Sequence, residues 1–298
     1  MAQPGQPRIS TIFRRVLDSD RAQAYMARMD QQSRDIAFMK MHGLGNDFVV
    51  VDERGRGPVV DAEMVRAIGD RNRGVGFDQL AVMRASARAD LHLTFYNADG
   101  SLSAACGNAT RCIARHLIDE TGRKEVVIET DHGLLPARDA GDGLTSVNMG
   151  HAATRWDEIP LSEAMDTLEL PLAGGPTATS MGNPHCSFFV DDVAAVDLAK
   201  RGAETERHPL FPQRTNVQFA QVTGKDALRM RVWERGVGIT LASGSSSCAV
   251  AHAAYRRGLV GNEVHITLDG GDIHIRLADD GIWMTGPTAH VFDGVWRG

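Results

Sequence analysis

The chain has 298 residues, 43% of them hydrophobic and 23% charged, the balance of a soluble globular protein with room for one large or two medium domains. Its formal net charge is −6 and its pI about 6.0, which argues against nucleic acid or an anionic membrane as the main partner. No apolar run approaches the roughly 20 residues that cross a bilayer. The cysteines Cys106, Cys112, Cys186 and Cys248 show no Cys-x-x-Cys spacing and read as reduced thiols of a cytoplasmic protein.

Residues 1–36 read as an N-terminal extension, disordered or helical, in which residues 9–29 could form an amphipathic helix. Arg14, Arg15, Arg21 and Arg28 suggest a transit peptide, but Asp18, Asp20, Asp30 and Asp35 argue against one. Short β-branched or alternating runs then predict strands at residues 48–51, 91–96, 126–130 and 146–149. Later strands are predicted at 186–190, 217–222, 228–233, 264–268 and 273–277. Small, helix-compatible residues fill 109–117 and 246–257. The pattern is an α/β chain of the α+β type, rich in antiparallel strands and without regular βαβ alternation.

One offset recurs. Ala105-Cys106-Gly107-Asn108 and Ala242-Ser243-Gly244-Ser245 each follow a strand and open a helix, and 243 − 106 = 137. The same offset relates Asn46 to Asn183, Gln79 to Asn216 and Asn97 to Glu234. Four polar pairs at one spacing predict two like halves facing each other across a pseudo-twofold, with a ligand read from both sides.

Cys106 lies just before a predicted helix, whose free N–H groups and dipole bind carboxylate and lower a thiol's pKa toward a thiolate base. Gly107 lets a ligand approach the backbone without a Cβ in the way. A free cysteine is most often a small buried hydrophobe, but Cys-Gly-Asn at a helix start sets Cys106 apart. Two such helix starts on one site could hold an α-carboxylate and place one side chain on each face of its α-carbon. That arrangement suits two-base racemisation, in which one group removes the α-proton and the other returns a proton to the opposite face.

The motifs Phe38-Met39-Lys40-Met41-His42-Gly43-Leu44-Gly45-Asn46-Asp47-Phe48, Gly74-Val75-Gly76-Phe77-Asp78-Gln79 and Tyr96-Asn97-Ala98-Asp99-Gly100-Ser101 resemble those of diaminopimelate epimerases. Cys106-Gly107-Asn108, Gly182-Asn183-Pro184-His185, Arg214-Thr215-Asn216-Val217 and Glu234-Arg235-Gly236 continue the series in family order, and the resemblance covers residues 37–296. It implies two pseudo-symmetric halves, each a curved, mostly antiparallel sheet around a central helix. Residues 37–150 plus 287–298 would form the first half and 151–286 the second. It also implies a substrate, LL- or meso-2,6-diaminoheptanedioate, in lysine and peptidoglycan precursor synthesis, and a homodimer with neither metal nor pyridoxal phosphate as cofactor. Asn46, Gln79, Asn97, Asn183 and Asn216 would bind the substrate with Glu234 and Arg235. Gly107, Asn108, Gly244 and Ser245 would cradle the α-carboxylate. Cys106 would be one acid/base, with His185 and Glu234 orienting or polarising the site.

Ser243 departs from the family, which has cysteine there. Cys248, five residues later, would point away from the Ser243 position on a helix. The chain then reads as a Cys-to-Ser trap, as a natural variant that still epimerises, or as a divergent member acting on another amino acid or only binding. The neighbouring Ser245-Ser246-Ser247 also departs from the usual glycine- and threonine-bearing loop, which favours natural drift. Phe292 stands where the family often has a tyrosine in its dimer contact, so it keeps the ring and loses a hydroxyl.

Overall fold

The computed structural model describes residues 35–103, 106–131 and 133–298. The helix expected at residues 9–29 lies outside them. The first half runs β1 (Ile36–Gly43), β2 (Asn46–Asp52), α1 (Ala62–Gly69), β3 (Gln79–Arg84), β4 (Leu91–Asn97), β5 (Leu102–Ser103), α2 (Gly107–Thr121), β6 (Glu125–Thr130), β7 (Gly133–Gly141) and β8 (Leu144–Asn148). The second half repeats it as β9 (Thr177–Ser180), β10 (Pro184–Phe189), α3 (Leu198–Glu206), β11 (Asn216–Gly224), β12 (Ala227–Glu234), β13 (Gly238–Thr240), α4 (Gly244–Arg256), β14 (Glu263–Leu268), β15 (Gly271–Ala278) and β16 (Gly281–Pro287). A last strand, β17 (Ala289–Trp296), returns to pair antiparallel with β1. Ile36, read from the sequence as part of the extension, opens β1 opposite Trp296.

Both halves share one pairing scheme. β2 and β3 are parallel, as are β4 and β6. β10 with β11 and β12 with β14 repeat this, and the remaining pairs are antiparallel. β8 pairs with β16 and joins the two sheets, with Val147 opposite Met284. Since 284 − 147 = 137, each of these residues faces its own equivalent, and the pseudo-twofold passes through this pair.

The strands are unbroken apolar runs where both sheet faces are covered. In β2, Phe48 and Val50 pack toward α2, while Val49 and Val51 pack toward Val65 and Ile68 of α1. The two central helices are buried along most of their length and rich in small residues, as a sheet curved around them requires. α2 stops at Gly122, whose φ of 68° allows its N–H to close on the Ile118 carbonyl. The sheets thus fix the axes of α2 and α4 and bring their N-termini together.

Candidate active site

The two helix starts are built alike. Cys106 caps α2 and Ser243 caps α4, both in extended conformation with φ of −146° and −143°. Neither side chain makes a capping hydrogen bond. Serine is a favoured cap residue, yet the Ser243 hydroxyl donates instead to Glu234 Oε2 at 2.9 Å. The first-turn N–H groups, which have no partner within a helix, are thereby left to whatever sits between the tips. A Cβ at Gly244 would stand 2.9 Å from Met284 Sδ and 3.4 Å from the Asn108 nitrogen. One at Gly107 would stand 2.9 Å from Met149 Cε. A Cβ at either place would push a methionine end aside, so glycine keeps the tips and the two methionines close together and leaves the backbone open to a ligand.

A cavity of about 330 Å³ lies between the tips. Cys106, Ser243, Glu234, Asn46, Gln79, Asn97, Gly107, Asn108, Asn183, Asn216, Arg235, Gly244 and Ser245 all line it. His185 does not. It is a fully buried histidine behind Asn183, where Gln218 Nε2 donates to its Nδ1 at 3.0 Å and its Nε2 meets Asn183 Oδ1 at 2.9 Å. Gln218 also donates to Ser246 Oγ on α4 at 2.9 Å. Burial, helped by the Arg235 charge, pushes His185 down to about 3. The ring is therefore neutral, and what it can do is hold Asn183.

The first half holds its asparagine differently. Asn46 Nδ2 donates to Asp78 Oδ2 at 2.8 Å, and Asp78 Oδ1 accepts from Arg71 at 2.7 Å. Asn46 Oδ1 accepts from Asn108 Nδ2 at 3.3 Å and is also the partner of the Cys106 thiol, at 4.0 Å. Arg111 on α2 is fully buried and donates to Asn108 Oδ1 at 2.9 Å. Elsewhere in the cavity, Gln79 donates to Ser103, Asn97 to Ser101, and Asn216 Oδ1 accepts the Arg235 N–H at 3.0 Å. Among the described residues no carboxylate forms an ion pair with the Arg235 side chain, so its guanidinium can serve a ligand carboxylate.

One expectation is overturned. The helix terminus was expected to lower the Cys106 pKa, but burial pushes the thiol well up, and the negative Glu234 adds to this. The nearby Ala109 N–H opposes the shift without reversing it. In a dry site the desolvation of a thiolate outweighs the partial charge of one helix start, so Cys106 rests as a neutral thiol. Glu234 is also pushed up, first by burial, against the opposing pull of the Thr240 and Ser243 hydroxyls. Reading the sequence assigned no role to Asp78, Thr240, Met149 or Met181, which also line the cavity. Of these, Asp78 stands in the motif at residues 74–79, and Thr240 just ahead of the Ser243 motif.

The fold alone is shared with solved structures of low identity. A hydroxyproline epimerase from Agrobacterium vitis superposes with TM-score 0.64 at 16% identity, covering 88% of this chain and 92% of that one. A phenazine biosynthesis protein of the PhzF family from Bacillus anthracis superposes with TM-score 0.63 at 13% identity, covering 88% and 99%. Fold and site together define a protein of two like halves with one polar cavity where two helix starts meet. A family model for diaminopimelate epimerase matches residues 38–154 and 177–291. Diaminopimelate epimerases of Rhodospirillum centenum and Acidiphilium cryptum are 52% and 47% identical, and each alignment covers 86% of this chain and over nine-tenths of the relative. The chain belongs to the diaminopimelate epimerase family.

Proposed function

We propose that the chain epimerises LL-2,6-diaminoheptanedioate to the meso form by two-base proton transfer, with Cys106 and Ser243 on opposite faces of one α-carbon. The observation that carries this reading is the pair of helix caps, both released from capping duty and both lining one cavity. Two sets of first-turn N–H groups suit one α-carboxylate, and stabilise charge that spreads into it as the C–H bond breaks. Arg235 suits the distal carboxylate, which favours a diamino dicarboxylic acid over an amino acid with a plain side chain. Asn46, Gln79, Asn97, Asn183 and Asn216 are neutral donors and acceptors fit for the remaining polar groups. His185 acts on this reading as a positioning residue through Asn183.

The acid and base are side chains, so the scheme requires neither metal nor pyridoxal phosphate. We place the enzyme in the cytoplasm, in lysine and peptidoglycan precursor synthesis; no helix among the described residues is long and apolar enough to cross a membrane. The exposed Val291, Phe292 and Val295 on β17 support a homodimer through that strand, with Phe292 kept in place by its edge contact with Phe38.

Proton exchange in D₂O tests the reaction. Started from either the LL or the meso isomer, the enzyme should yield product carrying solvent deuterium at the α-carbon. Tight binding of both isomers with exchange into neither would sink the enzymatic reading.

A further inference from the structure

A serine hydroxyl on its own is a poor partner for a carbon acid. Its pKa lies far above neutral, and general acid–base catalysis works best with a group that titrates near the working pH. The Ser243 tip nevertheless differs from the Cys106 tip by one feature that answers this need. Glu234, at the end of β12, accepts the Ser243 hydroxyl on Oε2 at 2.9 Å and the Thr240 hydroxyl on Oε1 at 2.6 Å. The equivalent position beside Cys106 is Asn97, which is neutral and bonded to Ser101. Because the Ser243 hydroxyl donates to Glu234, its oxygen is free to accept from a group in the cavity that both residues line.

We propose that Glu234 holds the proton on this face and Ser243 hands it across, so that a serine–glutamate relay replaces the second thiol of the epimerisation. The inference rests on the two-base reading above. In one direction the α C–H bond breaks and its proton bonds to Ser243 Oγ, while the hydroxyl proton of Ser243 moves to Glu234 Oε2. The electron pair left on carbon takes the proton of the Cys106 thiol on the opposite face, leaving a thiolate. Glutamate plus thiol become glutamic acid plus thiolate, with proton count and charge unchanged. The other direction runs the same transfers backward from the acid form. Burial opposes charge on both groups, and the Glu234 charge further opposes a Cys106 thiolate. The pair thus favours sharing a single negative charge, which lets one proton cross the substrate.

Four proteins test the relay: the wild type, Glu234→Gln, Ser243→Cys and the double variant. Calorimetric substrate affinity is followed alongside turnover. In the Ser243 background, Glu234→Gln should lower kcat about 10³-fold, within the span of general acid–base catalysis. In the Ser243→Cys background the thiol holds its own proton, and the same change should lower kcat less than about tenfold. Equal losses in both backgrounds overturn the relay, and they leave the two-base reading standing if the wild type still labels both isomers. Failure of the wild type to label either would remove that reading itself. A second measurement does not depend on the Glu234 variant folding. With a thiolate in place of the carboxylate as base, Ser243→Cys alone should move the acid limb of kcat/KM upward by about one pH unit or more. A limb that stays in place overturns the relay, and a merely structural Glu234 would not move it.

Discussion

The two helix starts are the same object in backbone and different objects in chemistry. Cys106 and Ser243 share cap geometry, a following glycine and a place in one cavity. Around Cys106 the direct polar neighbours are amides, with Asn46 the hydrogen-bonding partner of the thiol. Around Ser243 the neighbour is a half-buried carboxylate steadied by a second hydroxyl. Farther along, the fully buried Arg111 on α2 corresponds to the buried thiol Cys248 on α4. Duplication copies the scaffold, and the side chains then divide the labour. A thiol is acidic enough to exchange its own proton, whereas a hydroxyl is too weak an acid to do so without a base within hydrogen-bond reach.

The sharpest way to break this contrast is to remove each cap side chain in turn. Cys106→Ala should lower kcat by about 10³-fold or more, with substrate affinity held within about tenfold by the untouched binding groups. Ser243→Ala should cost less, because a water can take the hydroxyl's place beside Glu234. Steady-state kinetics with calorimetry decides it, and a larger loss at Ser243 would reverse the division of labour drawn here.

An intermediate effect concerns how each half holds its asparagine. His185 titrates at about 3 in the folded protein, against an ordinary value of 6.5. Below about pH 6.5 the unfolded chain takes up a proton that the folded chain refuses, so stability falls as pH drops from there toward 3. The slope for one proton is roughly 1.4 kcal/mol per pH unit. His185→Gln should flatten the acid side of a plot of urea-derived unfolding free energy against pH by that one-proton slope, whereas Asn46→Ala, whose partner is Asp78 and not a histidine, should leave the His185 contribution to that slope as it was. The smallest effect belongs to Thr240→Val. Loss of the 2.6 Å donor to Glu234 should raise the carboxyl's pKa further and lower kcat/KM about tenfold, the worth of one hydrogen bond to a charged group. A pH profile that does not shift would show that Thr240 does not steady the carboxylate.

Much of this was legible before any coordinates. The runs at 48–51, 126–130 and 264–268 lie in β2, β6 and β14, because a strand covered on both faces is apolar throughout, as in β2, and one buried mainly on one face alternates, as in β6 and β14. The offset of 137 found the polar residues of the cavity, because duplicated halves place equivalent residues around one axis. The resemblance pointed to His185 as an orienting residue, but its partners were not legible, since Gln218 lies 33 residues away and Ser246 farther still. The helices α1 and α3 also passed unnoticed, being short and marked mainly by the aspartate caps Asp61 and Asp197.

The sequence by itself determined the family, the twofold repeat, and which residue types stand at the two caps. Those are properties of order and spacing, which the chain carries whether folded or not. Only the tertiary structure decided the electrostatics. Helix polarity predicted a lowered Cys106, and burial beside a negative carboxylate raised it instead. Only the structure put Glu234 within 2.9 Å of Ser243, because the turn through β13 that folds the nine-residue interval back on itself, and the burial around it, are set by the packing of the whole half.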